Sequence, residues 1–397
     1  MINVFIIGAR GYTKRYGGWE TLVHGLVDNQ QKQDVHYYIY EVVNKKNEEG
    51  VEEIDGITCV KRYTKDMGGL TMILSDMKAF THAVKMIKKR KIENPVILYL
   101  GARFGPIQWL LTPYYKSAGV IIMENPAGVE WKRPKWGLIG EIYSFISCYF
   151  TAIASDYIVC DSEGIRDIYK KMVKSNRHRK EFVAYGSYPA KPLDEVFPDK
   201  VKTYFNEHNI VPGEYYLIVN RFMPENSYEL ILNEFVKSET KKDFIIVSNI
   251  DKEHKYYDEL ASKIPFEKDK RIKFVGTMYD PEILNYLRQS AFAYINGHTL
   301  GGTNPGLLEA MATTGVVLAY DVVFSREVCG EYAFYYDKNQ GHLMRDAMIQ
   351  CEAISESERE QLIANSKQRM RDKYDWKDIA RGYEDLFVTA VERRKKR

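Results

Sequence analysis

Paired cysteines are missing from this chain of 397 residues: Cys59, Cys148, Cys160, Cys329 and Cys351 are odd in number, widely spaced and form no CxxC. A disulfide framework and a zinc site therefore lack their sequence basis, and a reduced cytosolic setting fits. A GxGxxG fingerprint and a GK[ST] phosphate loop are also absent, which removes the main sequence support for a dehydrogenase or a nucleotide hydrolase. No DxD-type carboxylate cluster stands ready for a divalent metal. The N-terminus, MINVFIIGARG, has no basic segment ahead of its short apolar run, so it reads as a first strand and not as an export signal. The longest apolar stretch, Leu138 to Cys160, is interrupted by Glu141 and Asp156. It reads as a buried helix followed by a strand, with a helix presenting aromatic residues to a membrane surface as the lesser alternative.

What is present describes a globular protein. Apolar residues make up 45% and charged residues 28%, enough to build sizeable cores, and the length suits two domains. The net charge of +3 conceals an asymmetry: residues 1–190 hold 27 Lys and Arg against 20 Asp and Glu (+7), and residues 191–392 hold 25 against 34 (−9). The last five residues, Arg393 to Arg397, add +5. A basic first half and tail point to an anionic partner such as a phospholipid surface or lipid-linked phosphates. The basic residues fall in separated clusters with no nucleic-acid-binding motif, which argues against nucleic acid.

Strand and helix patterns alternate from end to end. Val4–Ile7, His36–Val42, Ile57–Tyr63, Val96–Leu100, Val120–Glu124, Tyr157–Cys160 and Phe182–Tyr185 read as strands, with helices over Gly18–Asn29 and Leu70–Arg90. A segment with Pro189, Pro192, Pro198 and Pro212 breaks the alternation, which restarts at Tyr216 and runs through Tyr336. Parallel sheets covered by helices are expected, in domains over residues 1–190 and 191–372 with a closing helix and basic tail over 373–397. Ligands of such sheets bind beyond the carboxyl ends of the strands.

Two Gly-rich loops sit at such ends. In Ala291 to Thr313, AFAYINGHTLGGTNPGLLEAMAT, a strand runs into Gly297, Gly301 and Gly302 before Pro305 opens a helix. That layout suits a diphosphate approached by backbone and met by unpaired N–H groups at a helix N-terminus, with Glu309 placed to accept hydrogen bonds from a ribose; an ordinary capped helix is the alternative. The first loop, GARGYTKRYGGWET from Gly8 to Thr21, carries Arg10, Lys14 and Arg15 and suits a phosphate-bearing substrate, or serves as a plain strand-to-helix turn.

The ordered series of motifs resembles the retaining family 4 type of GT-B glycosyltransferases, and within them the bacterial rhamnosyltransferases of polysaccharide assembly. The series comprises Gly8, Gly11, Tyr16, Gly17, Gly18, Glu20 and Thr21; Asn125 to Trp136; Cys160 to Ser162; Ala184 to Gly186; Arg221 to Asn226; and Gly297 to Ala310. The resemblance implies an α/β, GT-B fold of two Rossmann-like parallel-sheet domains facing a central cleft. It implies transfer of L-rhamnose, from dTDP-L-rhamnose, with retention onto a lipid-linked (polyprenyl diphosphate) saccharide in bacterial capsule or other surface polysaccharide synthesis. The protein would lie in the cytoplasm, peripheral at the inner face of the membrane, with no cofactor, no metal and no nucleic acid. A transferase for another nucleotide sugar, a GT-B sugar-nucleotide epimerase and a non-catalytic binding subunit are the alternatives.

Residue by residue, the resemblance implies that Arg221 meets the donor pyrophosphate and stabilises the leaving group. It assigns Asn226, His298, Gly301, Gly302, Thr303, Asn304, Gly306, Leu307 and Glu309 to the donor as well, together with Gly17 and Gly18 of the first loop. Asp161 and Tyr185 would orient the acceptor, a helix cap being the alternative for Asp161; a double displacement would need a carboxylate close to the anomeric carbon, for which Glu130 and Asp161 are the candidates. Three departures stand out. Asn226 replaces a Lys common in the wider family, the first of the family's paired glutamates falls on Gly301, and Ala127 and Val129 replace an Asp and a His. The second departure suits a same-face mechanism over double displacement.

Overall fold

The computed structural model describes residues 1–13, 17–126, 128–133, 137–250 and 255–396. In chain order the first elements are β1 (Ile2–Ile7), α1 (Gly18–Asp28), β2 (Val35–Val43), β3 (Gly50–Ile54), β4 (Ile57–Tyr63), α2 (Thr71–Arg90) and β5 (Pro95–Leu100). They continue with α3 (Gly105–Lys116), β6 (Ile121–Asn125), α4 (Leu138–Ala154), β7 (Tyr157–Cys160), α5 (Glu163–Met172) and β8 (Arg179–Phe182). The second series is α6 (Asp199–Glu207), β9 (Tyr215–Val219), α7 (Tyr228–Val236), β10 (Asp243–Val247), α8 (Lys255–Lys263), β11 (Ile272–Phe274) and α9 (Pro281–Gln289). Then come β12 (Ala293–Asn296), α10 (Pro305–Thr313), β13 (Val317–Tyr320), α11 (Val323–Cys329), β14 (Phe334–Tyr336), α12 (Met344–Ala353), α13 (Glu356–Tyr374) and α14 (Trp376–Lys395).

Two compact units result, one formed by Met1–Gly186 with Trp376–Arg397, the other by Ser187–Asp375. The first holds an eight-stranded sheet in the order β3-β4-β2-β1-β5-β6-β7-β8. Its pairings are parallel apart from β3 with β4, an antiparallel edge hairpin that the sequence reading did not foresee. The central strands are near-continuous apolar runs, because helices cover both faces: β5 is buried at all six positions. Phe80, Tyr99, Phe104 and Tyr115 interlock edge to face or tilted in its core, with ring centroids 5.2 to 5.5 Å apart.

The second unit holds a six-stranded parallel sheet in the order β11-β10-β9-β12-β13-β14. Its helices start on recognisable caps. Asp280 Oδ1 accepts from the amides of Glu282 (2.9 Å) and Ile283 (3.2 Å) ahead of Pro281, and Ser355 with Glu358 closes a capping box on α13.

Two sequence expectations shift. The last strand of the first sheet is Arg179–Phe182, not Phe182–Tyr185, because Arg179 to Phe182 is what registers against Tyr157 to Cys160. The helix α3 was not foreseen; its Pro106 and Pro113 weaken the pattern, although Pro106 falls in the first turn, where its missing N–H costs nothing.

Candidate active site

Each sheet has one place where chain connections leave in opposite directions, and crevices at such places bind ligands. In the second unit it lies between β9, whose next strand is its neighbour on one side, and β12, whose next strand is on the other. Only Tyr216 with Ala293 and Leu217 with Tyr294 pair across this seam, so the strands part towards their carboxyl ends. Tyr294 spans the opening. Its hydroxyl donates to the Val219 carbonyl (3.1 Å) and accepts from the Val219 amide (3.4 Å), and burial pushes its pKa up to about 12, so it stays a neutral donor.

The loops rising from these strand ends are tied together by side chains named from the sequence. Asn226 donates through Nδ2 to the Arg221 carbonyl at 2.7 Å, and its Oδ1 lies 3.0 Å from His298 Nδ1. An amide oxygen only accepts, so this arrangement puts the His298 proton on Nδ1 and turns Nε2 towards Gly301, where an added Cβ would sit 3.3 Å away. The Thr299 amide reaches the Glu225 carbonyl at 3.0 Å. Gly297 is required by this junction, since a Cβ there would overlap the Asn226 carbonyl. Arg221 itself projects outward, 59% exposed, with Nη2 3.8 Å from the buried carboxylate of Glu225.

The start of α10 differs from the expectation of open N–H groups. Asn304 Oδ1 accepts from the amides of Gly306 (2.9 Å) and Leu307 (3.4 Å), so the side chain of the N-cap residue already satisfies two of the groups expected to grip a phosphate. The preceding turn, Gly301 (φ +119°), Gly302 and Thr303, is itself buried. Glu309 pairs with Arg288 of α9, a partner the sequence reading missed. Asn296, at the end of β12, was also missed. It is buried, and its Nδ2 has no hydrogen-bond partner among the described residues. A cavity of about 240 Å³ beside α13, lined in part by Gln289, Lys367, Arg371 and Asp375, contains none of these crevice residues.

In the first unit the corresponding seam lies between β1 and β5. The glycines of the first loop make room for protein groups: a Cβ at Gly8 would overlap the Leu100 carbonyl, and one at Gly11 the Glu41 side chain. Buried Glu20 accepts from the Arg10 amide at 2.7 Å, and Glu41 accepts from the Thr13 hydroxyl at 2.5 Å. Lys14, Arg15 and Tyr16 lie outside the described residues, as do Ala127 and the stretch 134–136. Arg103 adds a cation that sequence reasoning overlooked, bonded to Asp76 at 2.7 Å and to the Gly8 carbonyl at 3.1 Å. Asp76 in turn accepts from Tyr99 at 2.8 Å.

The other first-unit candidates occupy three neighbourhoods. The Tyr185 hydroxyl donates to the Gly18 carbonyl and its ring meets Trp376 at 5.2 Å, which brings together Tyr185 and the Gly17–Gly18 turn. Asp161 is buried just past the end of β7, beside Ser162, which starts α5 with its Oγ accepting from the Ile165 amide. Tyr383 of α14 is close enough to Asp161 to feel its charge and accepts from Asn125 at 3.0 Å. Glu130 pairs with Arg133 at 2.7 Å, and Val129 is buried.

Two units, each an open, largely parallel sheet with helices on its faces and a Gly-rich loop at its seam, define the GT-B class of fold. Solved structures similar along the whole chain show the same fold. Sucrose-phosphate synthase from Thermosynechococcus elongatus is 15% identical with a TM-score of 0.76, covering 99% of this chain and 100% of its own. A glycosyltransferase from Rickettsia africae is 12% identical (TM-score 0.70, 97% of each chain). Anabaena HepE in complex with UDP-glucose is 13% identical (TM-score 0.68, 98% and 100%). A family model described as "Domain of unknown function (DUF1972)" matches residues 1–188. No curated protein matches the chain.

Proposed function

We propose that this protein is a retaining glycosyltransferase that takes a sugar from a nucleoside diphosphate carrier. The observation that carries the reading is the joined cluster of Arg221, Asn226, His298 and the Gly301–Thr303 turn at the β9/β12 seam. It is supported by the fold shared with a protein solved in complex with UDP-glucose. Arg221 is a permanently charged, multi-donor group suited to the charge that develops on the leaving diphosphate. Asn226 fixes the backbone that carries it and holds His298 in the tautomer that aims Nε2 at the turn. Leaving-group charge is assigned to Arg221 and the loop backbone, without a metal.

In this reading no carboxylate is assigned as nucleophile. The leaving phosphate oxygen takes the acceptor's proton on the same face while the cation-like sugar is stabilised, which balances the transfer: the acceptor O–H and the anomeric C–O bond break, the new glycosidic bond forms, and the proton leaves on the nucleotide. The donor proposed is dTDP-L-rhamnose and the acceptor a polyprenyl-diphosphate saccharide of bacterial surface polysaccharide synthesis, with Asp161, Tyr185 and Glu130 on the acceptor side. Both rest on the motif resemblance and, for the acceptor, on the basic first half and tail. The enzyme would work as a peripheral protein at the cytosolic face of the membrane. The test is a panel of dTDP-, UDP- and GDP-sugars offered with synthetic polyprenyl-diphosphate saccharides. Turnover of one donor, lost in Arg221→Ala and resistant to a chelator, is expected; full activity of Arg221→Ala contradicts the donor site.

A further inference from the structure

The helices α3 and α4 are inside out. The side that α4 turns to the protein is small and polar, with Ser144, Ser147, Cys148 and Thr151 buried, while Leu138, Ile139, Ile142, Phe145 and Tyr149 are exposed, Ile139 by 84%. The partner helix repeats the inversion. It buries Gly105, Gln108 and Tyr115 and exposes Trp109 and Leu110, the latter by 67%. Close contact locks the two into one face: the Gly105 amide donates to Ser147 Oγ at 2.8 Å, and a Cβ on Gly105 would overlap the Ser147 carbonyl. The Trp109 ring meets Phe150 at 5.3 Å. Scattered apolar residues on a surface need no explanation, but a contiguous apolar and aromatic face on two packed helices does.

From this face we infer that α3 and α4 form the surface by which the protein lies on an anionic phospholipid bilayer. Charge selects that occupant. Within α3 there is no acidic residue and within α4 only Glu141. At one margin Lys88 stands 4.6 Å from the Tyr114 ring, followed by Lys89 and Arg90 at the end of α2. At the other, exposed Lys132 belongs to the short helical turn Glu130–Lys132 whose Trp131 packs on Phe145 at 5.5 Å. Apolar side chains enter the headgroup boundary, tryptophan and tyrosine suit its depth, and lysines at the rim meet anionic headgroups. No helix of the described residues is long and apolar enough to cross a membrane, so the contact is along the surface. The inference rests on the membrane part of the proposed function and is independent of the donor site.

The test is flotation of the full-length protein with vesicles of phosphatidylcholine alone or mixed with phosphatidylglycerol. Alongside it run sedimentation velocity without lipid and titration with nucleoside diphosphate. Binding to the anionic vesicles is expected, abolished in the double variant Ile139→Ser, Ile142→Ser and weakened about fivefold per charge removed in Lys88→Gln and Lys132→Gln. An unchanged circular dichroism spectrum and melting temperature of the serine variant show that it is folded. Failure of the wild-type protein to float, or equal flotation of a folded serine variant, overturns the inference. Self-association of the wild-type protein that the serine variant abolishes overturns it too, and assigns the face to a second copy. Loss of nucleotide binding in the wild-type protein with flotation intact sinks the enzymatic reading and leaves this one standing.

Discussion

In the proposed donor site Asn226 is the residue on which the grip turns, because one amide holds both the Arg221 carbonyl and His298. Removing it in Asn226→Ala releases two hydrogen bonds, worth together about 1–3 kcal/mol, and is expected to weaken donor binding about tenfold to a hundredfold with Arg221 still present. Calorimetric titration with the donor nucleotide checks this. Gly297→Ala drives a methyl into the Asn226 carbonyl and should cost about 1–3 kcal/mol of stability, read as a lower melting temperature. Glu124 gives a pH prediction. It is fully buried in β6, neither oxygen has a partner among the described residues, and burial raises its pKa well above the ordinary 4.5. The unfolded chain ionises this carboxyl near 4.5 and the folded chain only much higher, so the stability it contributes is complete below 4.5 and is lost as pH rises towards the folded value. Glu124→Gln should therefore melt higher than the wild type at mildly alkaline pH, with the gap closing as pH approaches 4.5. A gap that stays constant across that range contradicts it.

Among the elements, α14 shows how the first unit is closed. Its first residue, Trp376, is wedged where a Cβ on either Gly25 of α1 or Gly186 would strike the indole, and it meets Tyr185 edge-on. Trp376→Ala leaves a cavity between these parts and should cost about 3–5 kcal/mol, measured by denaturant unfolding. The alternation of strands and helices was legible because buried parallel strands write themselves as apolar runs bounded by glycine, as β5 and β12 do. The inverted helices were less legible for a physical reason. Periodicity reports which side of a helix is apolar and not whether that side is covered; in α4 the buried side carries Ser144, Ser147 and Thr151. The cap by Asn304 could have been read from its place before Pro305, whereas the pairing of Arg288 with Glu309 joins two helices and leaves no local signal.

At the scale of the whole molecule, two sheets each place Gly-rich loops at a seam, yet they use their glycines differently. In the first unit Gly8 and Gly11 admit the protein's own Leu100 and Glu41, while in the second Gly297 admits the Asn226 backbone and Gly301 leaves the His298 ring facing the turn. The motifs at both seams were readable from the sequence; Arg103, Asp76 and Asn296 were not, because their roles depend on strand order. The central claim is that the β9/β12 crevice holds a nucleoside diphosphate through Arg221. Isothermal titration of UDP and dTDP into the full-length protein and into Arg221→Ala tests it most directly. The account predicts one site in the wild type, and binding at least about tenfold weaker in a variant whose circular dichroism is unchanged; equal affinity in the two proteins would contradict it.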